Sequence, residues 1–333
     1  MSSTHTAPER SARQHRADRL VDPGLLWGTL GVAVLLVVSL FTGVLDITSD
    51  DPVNREMLYI TRIPRTVALV LAGAAMAMCG LVMQMLTQNR FVEPTTVGTT
   101  EWAGLGLLLM LIFFPTAGLL AKMAGAVTMA FLGTMVFFLF LRQVRLTSSL
   151  IVPIVGIMLG AVVGALTSWI ALATDSLQSL GVWFAGSFTS VLRGQYEVLW
   201  VVALVVVAVF LVADRFTVAG LGEEVATTVG LNYRVVMLLG TGLIAIATGV
   251  VTVVIGNLPF LGLIVPNVVS LWRGDDLRSN LPWVCLLGIA LVTVCDLIGR
   301  VIIAPFEIPV SLVLGIVGAL VFVSLILWGD RRG

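Results

Sequence analysis

Few side chains in this sequence can do chemistry, and their positions narrow what that chemistry is. The two histidines, His5 and His15, both lie in a polar N-terminal stretch, so the body of the chain has no imidazole for metal ligation or general-base work. Cys79, Cys285 and Cys295 sit in apolar runs with neither CxxC nor zinc-ligand spacing, and they read as small apolar residues. No P-loop, HExxH or GxSxG occurs, and GLGLLL at 104–109 lacks the third glycine of a dinucleotide fingerprint. The chain therefore has no means of its own to draw energy from ATP, and no catalytic constellation gathers near one membrane face.

The remaining candidates are charges inside or beside apolar runs, where a charge is expensive and so a functional candidate by default. Asp296 and Arg300 are four apart and share a helix face, which suits an ion pair better than a proton relay. Glu101 stands near the start of one apolar run and Lys122 near one end of another, 118–141. Arg62 and Arg65 flank Pro64 just before a third. Gly156, Gly160 and Gly164 form a GxxxGxxxG series, which fits close helix packing first and a path-lining role second. The two roles coincide in a homodimer whose path runs between subunits.

The elements that must position these residues follow from composition. The 333 residues are 58% hydrophobic and 11% charged, with mean hydropathy +1.06. A soluble domain carries about 25% charged residues, so an ordinary soluble enzyme is excluded. Lys+Arg and Asp+Glu both number 19, which removes the basic footprint of a nucleic-acid binder. A span needs about 20 apolar residues. Ten runs qualify: 25–45, 64–86, 96–114, 118–141, 150–173, 196–213, 234–255, 258–272, 282–304 and 308–328. The third and eighth are short and rich in Gly and Pro, as partly re-entrant segments are. The fold class is thus all-α, a polytopic membrane protein of about ten transmembrane helices.

Arg10, Arg13, Arg16 and Arg19 precede the first run, which is too long for a signal-peptide core, so it reads as an uncleaved span with its N-terminus inside. With ten spans, thirteen basic residues then fall inside and six outside, as the positive-inside rule asks. The expected organisation is a cytoplasmic tail, 1–24, and one transmembrane domain, 25–333. Segment 46–63 is acidic and placed outside. Segment 174–195 is a further polar stretch. Segment 214–233 lies inside, either as a solvated loop or as one or two short surface helices between its glycines. Two stretches look loosely alike, each a Gly/Ala-rich helix (66–86, 235–255) followed by a Pro/Gly segment (91–98, 258–266). Five spans apart, they make a weak inverted repeat, a transporter feature.

Four blocks carry a resemblance to a family. RIPRTVALVLAGAAMAMCGLVMQMLTQNRFVEPTTVG (62–98) resembles the early signature of the FecCD family, permeases of ABC importers for iron–siderophores, haem and vitamin B12. GLGEEVATTVGLN (220–232) resembles its cytoplasmic coupling segment, GNLPFLGLIVPNVVSLWRGDDLRSNLP (256–282) its late signature, and DLIGRVIIAPFEIPVSLVLGIVGALVF (296–322) its C-terminal one. The blocks cover about a third of the chain, in the family's order.

The resemblance implies a vitamin B12-permease-like fold in the bacterial cytoplasmic membrane, with both termini cytoplasmic. It implies a second permease copy, identical or paralogous, two ATPase subunits that use ATP, and an extracytoplasmic substrate-binding protein. No cofactor or metal is bound directly by the chain; membrane lipid surrounds it and nucleic acid has no place. Arg62, Arg65 and Arg300 match positions that receive acidic residues of the binding protein. Leu221, Gly222, Glu223, Glu224, Ala226, Gly230 and Leu231 match the segment that contacts the ATPase. Gly156, Gly160 and Gly164, with Gly186, Ser187 and Thr189, are the expected translocation path. In the late signature, Asn267 follows Pro266 where many members have His, and Ser270 stands where a basic residue is common. PNVVS resembles the subset for catecholate-type siderophores such as petrobactin or anguibactin, which implies a ferric siderophore as cargo. An ion-coupled secondary transporter is the competing reading, and Asp296 is the one central carboxylate it would have.

Overall fold

In hydrocarbon every backbone N–H and C=O must be bonded within the protein, so apolar runs of this length fold as helices. The computed structural model describes residues 23–43, 56–143 and 150–329, and among these no strand occurs. The expectations for the N-terminal tail with its histidines and arginines, for most of segment 46–63, and for Arg145, Arg331 and Arg332 fall outside the described residues.

The helices are α1 (Pro23–Phe41), α2 (Ile63–Thr87), α3 (Thr99–Phe113), α4 (Leu119–Leu141), α5 (Ile151–Ala173), α6 (Leu177–Phe184), α7 (Trp200–Ala219), α8 (Glu223–Thr228), α9 (Tyr233–Val254), α10 (Leu261–Arg273), α11 (Leu277–Val301) and α12 (Val310–Gly329). A π-helical turn, Leu58–Arg62, leads into α2, and a 3₁₀ turn, Tyr196–Leu199, into α7. Among the described residues, seven helices are long and apolar enough to cross a membrane, and three shorter apolar ones bring the set to the ten runs read from the sequence. The third and eighth are the short α3 and α10, as expected.

Two boundaries differ from the reading by five residues or more. The sixth run was expected to stop at 213, but α7 continues through DRFTVA to Ala219, because Ala213, Phe216 and Ala219 keep its buried stripe going past the first charges. The ninth was expected to begin at Pro282. Instead α11 starts at Leu277 and takes Pro282 into its second turn, with Asn280 and Leu281 buried.

Cross-links sort the loops into two ends. At one end, the arginine end, Arg300 meets Thr42, Arg65 meets Glu307, Arg193 N donates to Ile60 O, and Ser187 N donates to Ile255 O. At the opposite end Arg90 pairs with Asp275, and Arg278 with Asp214. Hence α2 leaves the arginine end while α9 arrives at it, and the two copies of the repeat run antiparallel. Each copy is a long helix, a loop, and a short helix whose N-cap is left-handed, Gly98 (φ 84°) before α3 and Phe260 (φ 64°) before α10.

The core forms around α2, whose residues from Ala68 onward are almost all buried. It packs against α7, α9, α10 and α11. Its glycines are what let it sit so centrally. A β-carbon at Gly80 would stand 2.0 Å from Gly262 O on α10, and one at Gly73 would stand 2.9 Å from Gly288 O on α11. Small residues at such crossings let two backbones touch.

Candidate functional site

The residues singled out by sequence gather mostly at the two ends. At the arginine end, α2 brings Arg65 and α11 brings Asp296 and Arg300. Arg65 Nη2 donates to Asp296 Oδ1 at 2.7 Å, and its Nη1 donates to Glu307 at 2.8 and 3.0 Å. Arg300 Nη2 pairs with the other Asp296 oxygen, one helical turn away. Arg300 also donates to Ser39 O at 2.9 Å and Thr42 O at 3.2 Å from Nη1, and to Ser39 Oγ at 3.1 Å from Nη2. Arg62, half-buried, donates to Thr42 O. Thr189 Oγ1 completes the network by donating to Glu307 Oε2 at 2.5 Å.

This arrangement corrects one expectation and changes another. Arg300 was read as an outer docking residue; its side chain is 4% exposed and instead ties the end of α1 to α11. A guanidinium that deep needs its partners, since a buried unpaired charge is costly. Arg65, read as a docking position with Arg62, carries two carboxylates of this chain, and Arg62 is half-buried. The Asp296–Arg300 pair is present as expected, extended by Arg65 into a chain of charges. Burial alone would raise the Glu307 carboxyl. The Thr189 hydroxyl and the neighbouring guanidiniums of Arg65 and Arg300 outweigh it and hold that carboxyl below its usual range.

The expected path residues divide. Gly156 and Gly160 lie buried beneath the turn that opens α3: added β-carbons would stand 2.4 Å from Thr96 O and 3.1 Å from Gly98 Cα. They are packing positions rather than path-lining ones. Gly164 faces a cavity of about 420 Å³ whose walls include Glu101, Thr167 and Ser168, and Glu101 Oε2 has no hydrogen-bond partner among the described residues. Gly186 (φ 57°) is locked in place, its carbonyl accepting from Ser311 N at 3.2 Å. Ser187 and Thr189 border a second cavity of about 600 Å³, with Trp183 and Gln195. Segment 174–195, read as a polar stretch holding three of the expected path residues, also contains α6, which forms part of both cavity walls.

At the opposite end α8 stands between Gly222 (φ 104°) and Gly230 (φ 87°), conformations that favour glycine. The Leu231 N–H bonds back to Ala226 O and the Gly230 N–H to Thr227 O, both at 2.9 Å, closing α8 with a Schellman-type turn. Of the expected contact residues, Leu221, Glu223 and Glu224 are exposed, whereas Ala226 is buried against the chain itself. Val225 and Val229 were not singled out, yet they are exposed and stand four residues apart, on α8 and at its C-terminal cap. That spacing was available in the sequence as a helical stripe.

The chain matches the FecCD transport family over residues 24–328. It belongs to that family. It is 58% identical over 296 residues to the petrobactin import system permease protein FatD of Bacillus anthracis, covering 89% of this chain and 88% of that one. It is 37% identical to the ferric-anguibactin transport system permease protein FatD of Vibrio anguillarum, covering 91% and 98%. An inward-facing structure of a metal-chelate type ABC transporter superposes with a TM-score of 0.78 at 24% identity, over 91% of this chain and 98% of that one, and shares its fold.

In this FecCD chain the late signature is a structural joint. Asn267 Nδ2 donates to Arg90 O at 2.8 Å and to Leu263 O at 2.7 Å, tying α10 to the loop after α2. Pro266 lacks an N–H, so the Gly262 carbonyl loses its helical donor; Gln84 Nε2 on α2 supplies one at 3.3 Å. Glu93, 1% exposed, accepts from Phe260 N at 2.8 Å and Leu263 N at 3.1 Å and so caps α10. Sequence reasoning passed over both Gln84 and Glu93. The signal was there for Glu93, the one acidic residue between 63 and 100.

Proposed function

We propose that this protein is the membrane-spanning permease subunit of an ABC importer that carries a ferric siderophore of the catecholate type into the cytoplasm. What carries the reading is similarity along nearly the whole chain to permeases named for petrobactin and ferric anguibactin. Family membership speaks against an ion-coupled secondary transporter. So does the fate of Asp296, which is held between two guanidiniums and is not available to a passing ion.

On this reading the protein lies in the bacterial cytoplasmic membrane as one transmembrane domain. The arginine end faces out and the α8 end faces the cytoplasm, along with both chain termini. Two ATPase subunits each receive one α8, and the exposed side chains of Leu221, Val225 and Val229 in and beside it suit an apolar groove. A second permease copy, identical or paralogous, completes the path against the exposed apolar face of α5. Gly164, Ser187 and Thr189 are the members of the expected path that remain open to it. Arg62 and the outward edge of Arg65 receive acidic groups of the binding protein, where opposite charge sets orientation and on-rate.

Uptake into membrane vesicles tests the reading. With binding protein present, ferric petrobactin accumulates only when ATP is inside, and an uncoupler leaves the rate unchanged. Uptake that survives ATP depletion and collapses with the uncoupler would assign the chain to secondary transport instead.

A further inference from the structure

Arg65 holds two carboxylates on different edges of one guanidinium, and the two are unlike. Asp296, on the inner edge, has a side chain 2% exposed and is held a second time by Arg300. Glu307, on the outer edge, is 31% exposed and lies on the 302–307 segment between α11 and α12, whose residues are all exposed. Glu307 covers Arg65, which is itself only 12% exposed. An acidic side chain from another protein thus meets an edge of Arg65 that is already filled.

Glu307 is also the link to the cavity. Its Oε2 accepts from Thr189 Oγ1 at 2.5 Å, and Thr189 Oγ1 in turn accepts from Ser187 Oγ at 2.9 Å. Both hydroxyl residues stand at the border of the 600 Å³ cavity. We propose that Glu307 is an internal stand-in for the docking partner's carboxylate, displaced from Arg65 on docking, and that its departure releases the 186–190 segment at the cavity border. The proposal rests on the docking reading above and adds to it the residue that must give way.

The chemistry favours exchange over simple addition. Replacing one carboxylate on Nη1 by another leaves no charge unpaired and keeps charge-assisted hydrogen bonds of the same kind. Glu307 is ionised at neutral pH, so an anion rather than a neutral group is needed to replace it on Arg65.

The test uses the complete transporter with its ATPase subunits in nanodiscs, titrated with purified binding protein. Glu307→Gln keeps the size and weakens the hold on Arg65. The expected result is about tenfold tighter binding and raised ATP turnover without binding protein. Thr189→Val leaves Glu307 on Arg65 but cuts its tie to the 186–190 segment, so turnover rises while affinity stays within about twofold of wild type. This second variant keeps the test alive if Glu307→Gln does not assemble. Arg62→Glu probes the docking reading alone and is expected to lose binding. Wild-type affinity in Glu307→Gln, with Arg62→Glu still defective, overturns the exchange and spares the docking reading. Wild-type basal turnover in both Glu307→Gln and Thr189→Val overturns the link to the cavity. Wild-type docking by Arg62→Glu removes the docking reading itself.

Discussion

Gln84 and Asp275 show how the same polar chemistry has different weight at different depths. Gln84 is 4% exposed, and its amide gives Gly262 the hydrogen bond that Pro266 cannot. Gln84→Leu removes that side-chain donor from the carbonyl, at a cost of about 1–3 kcal/mol. The thermal midpoint of the purified protein is expected to fall by several degrees. Asp275 pairs with Arg90 at 2.6 Å, but the side chains are 65% and 58% exposed. The Ser270 hydroxyl, then Arg90, hold its carboxyl below the usual range against the opposing effect of burial. A depressed carboxylate contributes stability above its ordinary value of 3.8, which is lost as pH falls through the lower folded value. So exposed a pair is worth about 0–1 kcal/mol, and Asp275→Asn should leave the midpoint nearly unchanged at neutral pH. An equal loss in both variants would mean that burial does not set the weight.

Among the elements, α8 is where local geometry and proposed function meet most closely. Its glycines fix how the chain enters and leaves six residues of helix. At Gly230 a β-carbon meets nothing within 4 Å, so a substitution acts through the left-handed backbone and not through a clash. Gly230→Val costs about 1–2 kcal/mol at that residue and shifts the closing turn. The expected outcome is ATP hydrolysis near the wild-type rate with uptake largely lost, measured on the same proteoliposomes. Uptake in proportion to hydrolysis would show that α8 does not need its turn. The elements also mark what the sequence makes legible. Ten apolar runs announce ten helices because length and hydropathy act locally, and Gly98 and Pro266 already mark α3 and α10 as irregular. The eight-residue α6 is too short for its periodicity to stand out. The arginine end is legible only by residue type: Arg65 finds its acids 231 and 242 positions away, a pairing that no local pattern carries. For the same reason Arg300 reads as a surface cation until α1 closes over it.

At the scale of the molecule, the antiparallel copies of the repeat need something to hold them in register, and apolar packing alone is poorly directional. Gly80 against Gly262 sets the distance of closest approach between α2 and α10 but leaves sliding and rotation open. Glu93 removes that freedom. It belongs to the loop of the first copy, and its two oxygens accept from Phe260 N and Leu263 N at the start of the short helix of the second. At this helix N-terminus the two oxygens satisfy donors that would otherwise be unbonded in the buried interior. Asparagine or alanine cannot reach both amides, and glutamine turns an N–H₂ toward one of them. A buried donor left unsatisfied costs about 1–3 kcal/mol, so Glu93→Ala, which orphans two, is expected to cost at least about 2 kcal/mol. Glu93→Gln should cost less. The loss should be local before it is global: amide exchange at Phe260 and Leu263 should accelerate by orders of magnitude while amides in the middle of α2 stay protected. If exchange at those two amides were unchanged in Glu93→Ala, the copies would be held by packing alone, and the carboxylate would have to be explained by something other than the cap.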